Sequence, residues 1–498
     1  MNVRMLGVVF TVALIGSLCS TVYAENPPGL VWGKQIGTDQ EDGIGGVVLD
    51  NSGHIYIAGW TKGTMGETHY GQGDCYLSQL SSTGDLLWSR QFGSTEEEGF
   101  NCLAIDQKNN LYAGGTTSGV MGEAHMGKTD GFFGKFDPDG NLLWMRQVGT
   151  NKDDEIKDIH VSSTGDVYVV GSTRGDLAGE HGGGTFDAFV CRYQSDGTLV
   201  WMKQHCTSLY EIGHGVTTDD EGACYITGKK GFALKYDADG NEVWSWDWSS
   251  YNYNFTSIVI DEGGYVYLAG SDPANGAGIL LKMANNAAQE QIWRANYSGR
   301  WALHYGLKIV QDGSGDLITG GCKGPDCRPY SIRYTSDGQQ VWLNTNIGNM
   351  GDVCGTKIIT DNKGGFYQIA FAGSELFTEN FGNGDGAIFK FGETINSGVQ
   401  NQNALPNHFG LYQNYPNPFN ATSCISYELE KEEQVNLAIY NIDGQRVKTL
   451  INQRQEAGRH SIFWNGQNDD GDHLSSGLYV YELLTQQNFE RRKMLLVQ

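Results

Sequence analysis

Short runs of apolar residues, each four to eight long, recur along most of the chain, and no apolar pattern with the 3.6-residue period of a helix persists. The clearest copy of this pattern begins Trp88-Ser-Arg-Gln-Phe-Gly, crosses the acidic loop Ser94-Thr-Glu-Glu-Glu, and enters Cys102-Leu-Ala-Ile-Asp106. A turn at Gln107 to Asn110 leads into Leu111-Tyr-Ala-Gly-Gly-Thr, and a long loop follows. The copy ends with Phe132-Phe-Gly-Lys-Phe-Asp, the turn Pro138-Asp-Gly-Asn, and Leu142-Leu-Trp144. Each copy thus predicts four short strands, with Asp-Gly and Asn-rich turns joining close neighbours as hairpins. Trp32, Trp88, Trp144, Trp201, Trp244, Trp293 and Trp342 hold the same place in the phrase, at spacings of 56, 56, 57, 43, 49 and 49.

A single four-stranded hairpin sheet cannot bury both faces, so the copies must pack side by side around an axis, as blades of a β-propeller. We name the strands a to d from the axis outward. The seventh copy stops at Phe389-Lys-Phe391-Gly392, after its strand c. Its missing Trp strand stands near the start of the chain, as Gly29-Leu30-Val31-Trp32. The N-terminal strand is therefore expected to complete the last blade and close a seven-bladed ring, which removes the open edge.

Gly93-Ser-Thr-Glu-Glu-Glu-Gly, Ala104-Ile-Asp106, Leu111-Tyr-Ala-Gly-Gly-Thr116 and Asp130-Gly-Phe-Phe-Gly-Lys-Phe-Asp-Pro-Asp-Gly140 resemble the SBBP β-propeller repeats of bacterial secreted proteins. The resemblance is good in copies one to three and fades in four to seven. It implies a fold and no activity, because propellers host many functions.

The two ends have a different character. Residues 1–24 read as a secretory signal: Arg4 is positive, Leu6 to Leu18 is apolar but too short to span a bilayer, and Val22-Tyr23-Ala24 fits a cleavage site. No later segment is apolar for long enough to be a membrane helix. The propeller is expected over 25–395. Residues 396–410, with Asn396-Ser-Gly and Gln400-Asn-Gln-Asn, read as a linker. From 411 to 498, strand-like runs at Cys424–Leu429, Val435–Tyr440, Val447–Ile451, His460–Trp464 and Leu478–Leu484 predict a small immunoglobulin-like β-sandwich.

Here Tyr415-Pro-Asn-Pro-Phe-Asn420, Ile439-Tyr-Asn-Ile-Asp-Gly-Gln445, Ala457-Gly458, Ser476-Gly-Leu-Tyr479 and Arg492-Lys-Met-Leu-Leu-Val497 resemble the C-terminal sorting domain of the type IX secretion system. That resemblance implies export across the outer membrane of a Bacteroidetes-like bacterium, with the type IX machinery as partner, and suggests removal of the domain afterwards. The rival reading is a plain immunoglobulin-like domain with no export role. Asn468-Asp-Asp-Gly-Asp472 resembles the start of a calcium loop but lacks the remaining ligand spacing, so it reads as a hairpin turn.

Composition narrows the partners. The 498 residues include 70 glycines and only 9 prolines, which suits many strands and tight turns, and the net charge is −24. A chain this acidic is repelled by phosphate backbones and anionic lipid, so nucleic acid and bare membrane are unsuited as partners. Cys19 leaves with the signal, and nine cysteines, an odd number, remain. Cys322 and Cys327, flanking Lys323-Gly324-Pro325-Asp326, are the best candidates for a bridge. No cysteine pair has zinc-ribbon or redox spacing.

Strand direction fixes where function can sit. The d-to-a and b-to-c connections leave one face, and nearly all length variation lies in them. Binding residues favour such variable loops on a rigid scaffold. In copies one to three the loops share Gly66-Glu67-Thr-His69, Gly122-Glu123-Ala-His125 and Gly179-Glu180-His181, with acidic partners Glu41-Asp42, Glu96-Glu97-Glu98 and Asp153-Asp154-Glu155. Copies of one position are spread around the ring and do not converge on a metal, so turn stabilisation is the expectation for the histidines. The acids suit loop capping, with calcium at the channel mouth as the alternative.

Around copies four to six the loops are aromatic instead. Tyr210, Glu211, Trp248, Tyr251, Tyr253, Arg300, Trp301 and Tyr305 are the candidate ligand-binding residues, since rings with polar neighbours suit stacking on a sugar. Trp244, Trp246 and Trp248 alternate along strand d, which equally fits packing between blades. No His-Glu-x-x-His, Gly-x-Ser-x-Gly or phosphate loop occurs. Three functions remain, in this order: an exported binding protein for carbohydrate or another surface polymer, a structural envelope or matrix protein, and a polysaccharide-active enzyme using paired carboxylates.

Overall fold

In a computed structural model of the chain, the described residues are 27–66, 68–122, 124–179, 185–207, 210–298, 308–323, 328–344, 353–361, 364–372, 384–392, 409–411, 414, 423–455, 458–469 and 471–497. The expected signal therefore lies outside them, as does the linker apart from residues 409 and 410. Among the described residues no helix is long and apolar enough to cross a membrane.

Seven four-stranded antiparallel sheets form the propeller. The inner strands of blades 1 to 7 are Asp42–Leu49, Glu98–Ile105, Asp154–Val161, Gly213–Thr218, Asn254–Ile260, Lys308–Gln311 and Val353–Thr360. Each touches the inner strand of the next blade, and the last touches the first, so the ring is closed. The outermost strand of blade 7 is Gly29–Ile36, which pairs antiparallel with Asp385–Gly392, Gly29 opposite Gly392 and Ile36 opposite Gly386. The closure expected from the sequence is present.

The recurring tryptophans latch one blade to the next. The indole N–H of Trp32 donates to Ser82 O (3.3 Å), that of Trp144 to Ser195 O (3.2 Å), that of Trp201 to Ala238 O (3.1 Å) and that of Trp293 to Ser336 O (3.1 Å). All four acceptors lie in the c-to-d turn of the following blade. Trp244 donates to the Asn285 side chain instead (3.1 Å), the buried Trp88 N–H has no acceptor, and Trp342 departs from the pattern for a topological reason. Blade 7 borrows its outer strand from the chain start and has no c-to-d turn, and Trp342 instead stacks on Phe366 (5.7 Å, 17°). The turn must approach the ring closely: a Cβ at Gly140, whose φ is +78°, would come within 2.7 Å of Trp88. Only glycine combines that fit with a left-handed backbone.

A β-bulge aims each tryptophan. In all seven outer strands the residue just before Trp is skipped in the pairing: Val31, Leu87, Leu143, Val200, Val243, Ile292 and Val341. The extra residue bends the strand and turns the next side chain toward the neighbouring blade. The skipped side chain is pushed outward, and six of the seven are exposed. Between the blades lie apolar layers, such as Phe100, Phe132 and Phe136 between blades 1 and 2. These layers account for the short continuous apolar runs of the sequence, because both faces of each inner sheet are covered and strands such as Ile55–Thr61 and Asp130–Phe136 are buried almost throughout.

The C-terminal strands form a second, separate β-sandwich. One sheet has the order Gly410–Leu411, Ser423–Leu429, Gly458–Trp464; the other has the order Arg446–Gln455, Glu433–Tyr440, Gly477–Leu484, Phe489–Leu496. Ile425, Leu437, Trp464, Tyr481 and Met494 fill the space between them. Asp472 N–H donates to Asn468 Oδ1 (2.8 Å), and Asp470 between them lies outside the described residues. Cys75, Cys191 and Cys224 are free thiols, all three buried. The expected Cys322–Cys327 bridge involves Cys327, which lies outside the described residues.

Candidate functional site

The variable face is built on a polar clasp that repeats in blades 7, 1, 2 and 3. Its centre is a Gln in strand d, and its anchor is the buried Asp that opens strand c. Gln35, Gln91, Gln147 and Gln204 donate through Nε2 to Asp385 (2.5 Å), Asp74 (2.6 Å), Asp130 (2.7 Å) and Asp187 (3.0 Å). Gln91 also donates to Gly63 O (3.0 Å) and accepts at Oε1 from the N–H groups of Met65 (2.8 Å) and Gly66 (3.1 Å). The clasp thereby fixes the long b-to-c loop. His69 Nδ1 lies 3.3 Å from Asp74 and 3.0 Å from Gly63 O, and His125 Nδ1 lies 3.2 Å from Asp130. Each of these two histidines is engaged within its own blade; His181 lies outside the described residues.

The acidic d-to-a loops behave as caps. Asp42, Glu98 and Asp154 open their inner strands, and each accepts from a hydroxyl four residues earlier: Thr38 (2.8 Å), Ser94 (2.6 Å) and Thr150 (2.9 Å). All three are buried. Burial pushes the Asp42 and Asp154 carboxyls above their ordinary range, against hydrogen bonds from Thr61 and Thr38, and from Thr173 and Thr150. Among the described residues no group of three His, Cys, Asp or Glu side chains converges on a point that would hold a metal ion.

Glu211 is the fourth copy of this cap. It accepts from the Thr207 hydroxyl and is 1% exposed, and burial raises its carboxyl. It faces inward rather than lining a groove. Tyr210 beside it is half-buried. Its ring meets Phe186 edge-on (5.1 Å, 82°), and Lys229 Nζ sits 4.4 Å from the ring centre. Arg174 covers Phe186 at 4.4 Å. These cations stack on the rings from the protein itself.

Trp248 and Tyr253 are interior residues, 8% and 5% exposed. Trp248 meets Phe255 edge-on (5.1 Å), and Trp246 stacks on Trp244 at 3.8 Å and 10°. The alternation along strand d is thus the alternation of packing between blades 4 and 5. Tyr251 differs. The chain makes a single 3-10 turn, Ser249–Tyr251, ended by Asn252 at φ 55°. That turn lifts the Tyr251 ring outward, 59% exposed, stacked on Tyr253 at 5.3 Å and 25°. Tyr253 is fixed in turn by Arg294 Nη1, which donates to its hydroxyl (2.6 Å) and whose other nitrogen reaches Asp272 (3.1 Å). Lys230 Nζ donates to Asn252 Oδ1 (2.8 Å) beside the same loop. Arg300, Trp301 and Tyr305 lie outside the described residues.

Two polar features escaped the sequence reading. Lys357 of blade 7 reaches across the axis to Asn101 O of blade 2 (3.0 Å) and lies 3.8 Å from Asp158 of blade 3. On the opposite face, the inner strands of blades 2 to 4 end at a cleft lined by His160, Ser162, Thr218, Asp219 and Asp220, among others. His160 Nε2 lies 3.1 Å from Thr218 Oγ1, and burial lowers the imidazole to about 4, so it is neutral at physiological pH. No local signal marks either feature, since both join strands from different blades.

Comparison with known proteins matches separate segments. Residues 143–178 match the family described as beta-propeller repeat, and residues 419–488 match the FlgD Ig-like domain. The regulatory protein FlaEY of Caulobacter vibrioides is 28% identical over 144 residues, which are 26% of this chain and 15% of that protein. Among solved structures, virginiamycin B lyase from Staphylococcus aureus aligns at 11% identity and a TM-score of 0.45, covering 72% of this chain and 98% of that one. PorZ, a surface component of the type-IX secretion system of Porphyromonas gingivalis, aligns at 13% identity and 0.38, covering 91% and 66%. The chain is therefore similar to β-propeller repeats within blades 2 and 3 and to FlgD Ig-like domains in its C-terminal sandwich.

Proposed function

We propose that this protein is an exported cell-surface or extracellular binding protein, whose propeller holds carbohydrate or another surface polymer on the variable-loop face. The observation that carries the reading is Tyr251, an exposed ring already stacked on a buried one. A ring fixed from behind loses little freedom when an apolar sugar face stacks on its front. Lys230 and Asn252 supply polar groups in the same loop. The charge of −24 favours a neutral or cationic polymer over a polyanion. Arg300, Trp301 and Tyr305 join this reading on sequence alone. The leader-like start supports export, and the C-terminal phrases support the type IX machinery as the partner that carries the chain out.

The test is binding of the full chain to a panel of neutral polysaccharides, with and without calcium, beside Tyr251→Ala. Because Tyr251 is exposed, the variant should keep its melting temperature and lose binding by roughly tenfold. No binding by the parent, or equal binding by both, refutes the site. The second reading, a structural envelope or matrix protein without a small ligand, is favoured by the burial of Trp246, Trp248 and Tyr253. It predicts that the whole panel fails.

A further inference from the structure

The hairpin that joins strands b and c of blade 4, Cys224–Gly228 and Phe232–Tyr236, carries two lysines at its tip. The last two residues of the turn, Lys230 (φ 75°) and Gly231 (φ 70°), are both left-handed. Consecutive left-handed residues suit Asn-Gly, and a lysine at the first of them strains the backbone. Among the described residues only four other than glycine have a positive φ. Two of these, Lys230 and Asn252 (φ 55°), are hydrogen-bonded to each other, Nζ to Oδ1 at 2.8 Å. Strain of this kind gathers where a ligand is held.

The strained tip lies alongside the loop that carries Tyr251. Trp248 N–H donates to Gly231 O (2.6 Å), and Lys229 forms a bridge with Asn254. Lys230 Nζ therefore ends beside the residue that follows Tyr251, while Lys229 Nζ covers the Tyr210 ring. Among the described residues neither lysine makes an ion pair. The acids of the adjoining loops are engaged elsewhere: Asp247 accepts from Ser249 N–H (2.6 Å) and its hydroxyl (3.1 Å), and Glu211 accepts from Thr207. Burial and the charge of Lys230 both lower Lys229, with no acid to offset them. In a chain with 58 Asp and Glu against 34 Lys and Arg, two adjacent cations have been left without a counter-charge.

We propose that Lys229 and Lys230 take an isolated carboxylate carried by an otherwise neutral sugar chain, whose adjoining sugar stacks on Tyr251. The proposal rests on the Tyr251 reading and adds the class of ligand to it. A dense polyanion meets the field of the whole molecule, net charge −24, whereas a single carboxylate seated at the hairpin tip is governed by the two cations nearest to it. Charge-assisted hydrogen bonds from the ammonium groups then supply the selectivity. The competing account is that both lysines are simply solvated and Lys230 only fills a turn. The two accounts predict opposite results when Lys230 is replaced by the residue the turn prefers.

The test uses the full chain and each neutral polysaccharide of the panel in three forms: unmodified, sparsely carboxymethylated, and aminoethylated to the same degree. The carboxymethylated form should bind roughly tenfold more tightly than the unmodified one. The aminoethylated form should show no gain, and added salt should shrink the gain of the carboxymethylated form. Lys230→Asn should melt at or above the parent temperature, because Asn-Gly suits the turn, yet its preference for the carboxymethylated form should fall below about threefold. Equal binding of the unmodified and carboxymethylated forms, an equal gain from aminoethyl groups, or an unchanged preference in Lys230→Asn overturns the carboxylate and leaves the Tyr251 reading standing. A parent chain that binds no form of any polysaccharide overturns both.

Discussion

Replacing Gln91 by leucine is the sharpest test of the clasp that holds the variable face. The two side chains have nearly the same volume, so packing is conserved and the loss is polar. Gln91 is 7% exposed and makes hydrogen bonds to Asp74, Gly63 O and the N–H groups of Met65 and Gly66, with His69 Nδ1 at 3.5 Å from its Nε2. Asp74 keeps the Tyr70 N–H (2.8 Å) and His69, and Gly63 O keeps His69. Met65 and Gly66 are left with stranded donors. Two such donors at about 1 kcal/mol each, and one charge-assisted bond at about 2 kcal/mol, give a loss of about 4 kcal/mol. Urea unfolding measures the total, and hydrogen exchange at the Met65 and Gly66 amides locates it. Gln79→Leu, which gives up one bond to the Tyr56 hydroxyl (2.6 Å), is the control at about 1 kcal/mol. A loss below about 1 kcal/mol for Gln91→Leu, with both amides still protected, would refute the clasp.

Other predictions follow the same structure. Burial raises the carboxyls of Asp42, Asp154 and Glu211, so the folded chain holds protons more tightly than the unfolded chain there. Stability from these groups is fully present below the ordinary values of 3.8 and 4.5, and is lost as pH rises through the raised folded values. Asp50, Asp106 and Asp272 act the other way, with hydrogen bonds to the charged form outweighing burial, and their contribution disappears below 3.8. The melting temperature should therefore rise on mild acidification from neutral pH and fall again in stronger acid, and Asp154→Asn should flatten the rise. Trp201→Phe removes the bond to Ala238 O and should cost about 1–2 kcal/mol by calorimetry, whereas Trp342→Phe, which keeps its stack on Phe366, should cost less. Deleting Gly29–Ile36 uncovers the Asp385–Gly392 strand; the shortened chain should aggregate in light scattering, and a synthetic peptide of the deleted strand should restore solubility.

Much of the fold was legible because a propeller repeats a local pattern. Turn chemistry, short apolar runs and one tryptophan per copy all recur, and the missing final strand was identifiable as Gly29 to Trp32. The site was less legible for a definite reason. Trp248, Tyr251 and Tyr253 sit within six residues, and alternation holds only as far as Trp248. The 3-10 turn and the left-handed Asn252 reset the phase, so burial passes to Tyr253 and exposure to Tyr251. Glu211 was readable in principle, since it aligns with Asp42, Glu98 and Asp154 at the entry of strand a. Its aromatic neighbours drew it into the ligand set instead. Lys357 carried no signal at all, because its partners Asn101, 256 residues away in sequence, and Asp158 stand in other blades.

The bulged outer strands bear on how these molecules tolerate one another. A ring of seven blades presents seven outer edges, any of which would template pairing with a neighbouring molecule if it were straight. A skipped residue in every edge breaks the ladder at the same height around the whole circumference. Copies can therefore be crowded shoulder to shoulder without their sheets fusing. What they offer each other is a belt of single aliphatic side chains, Leu87, Leu143 and Val200 among them, too sparse for a dry interface.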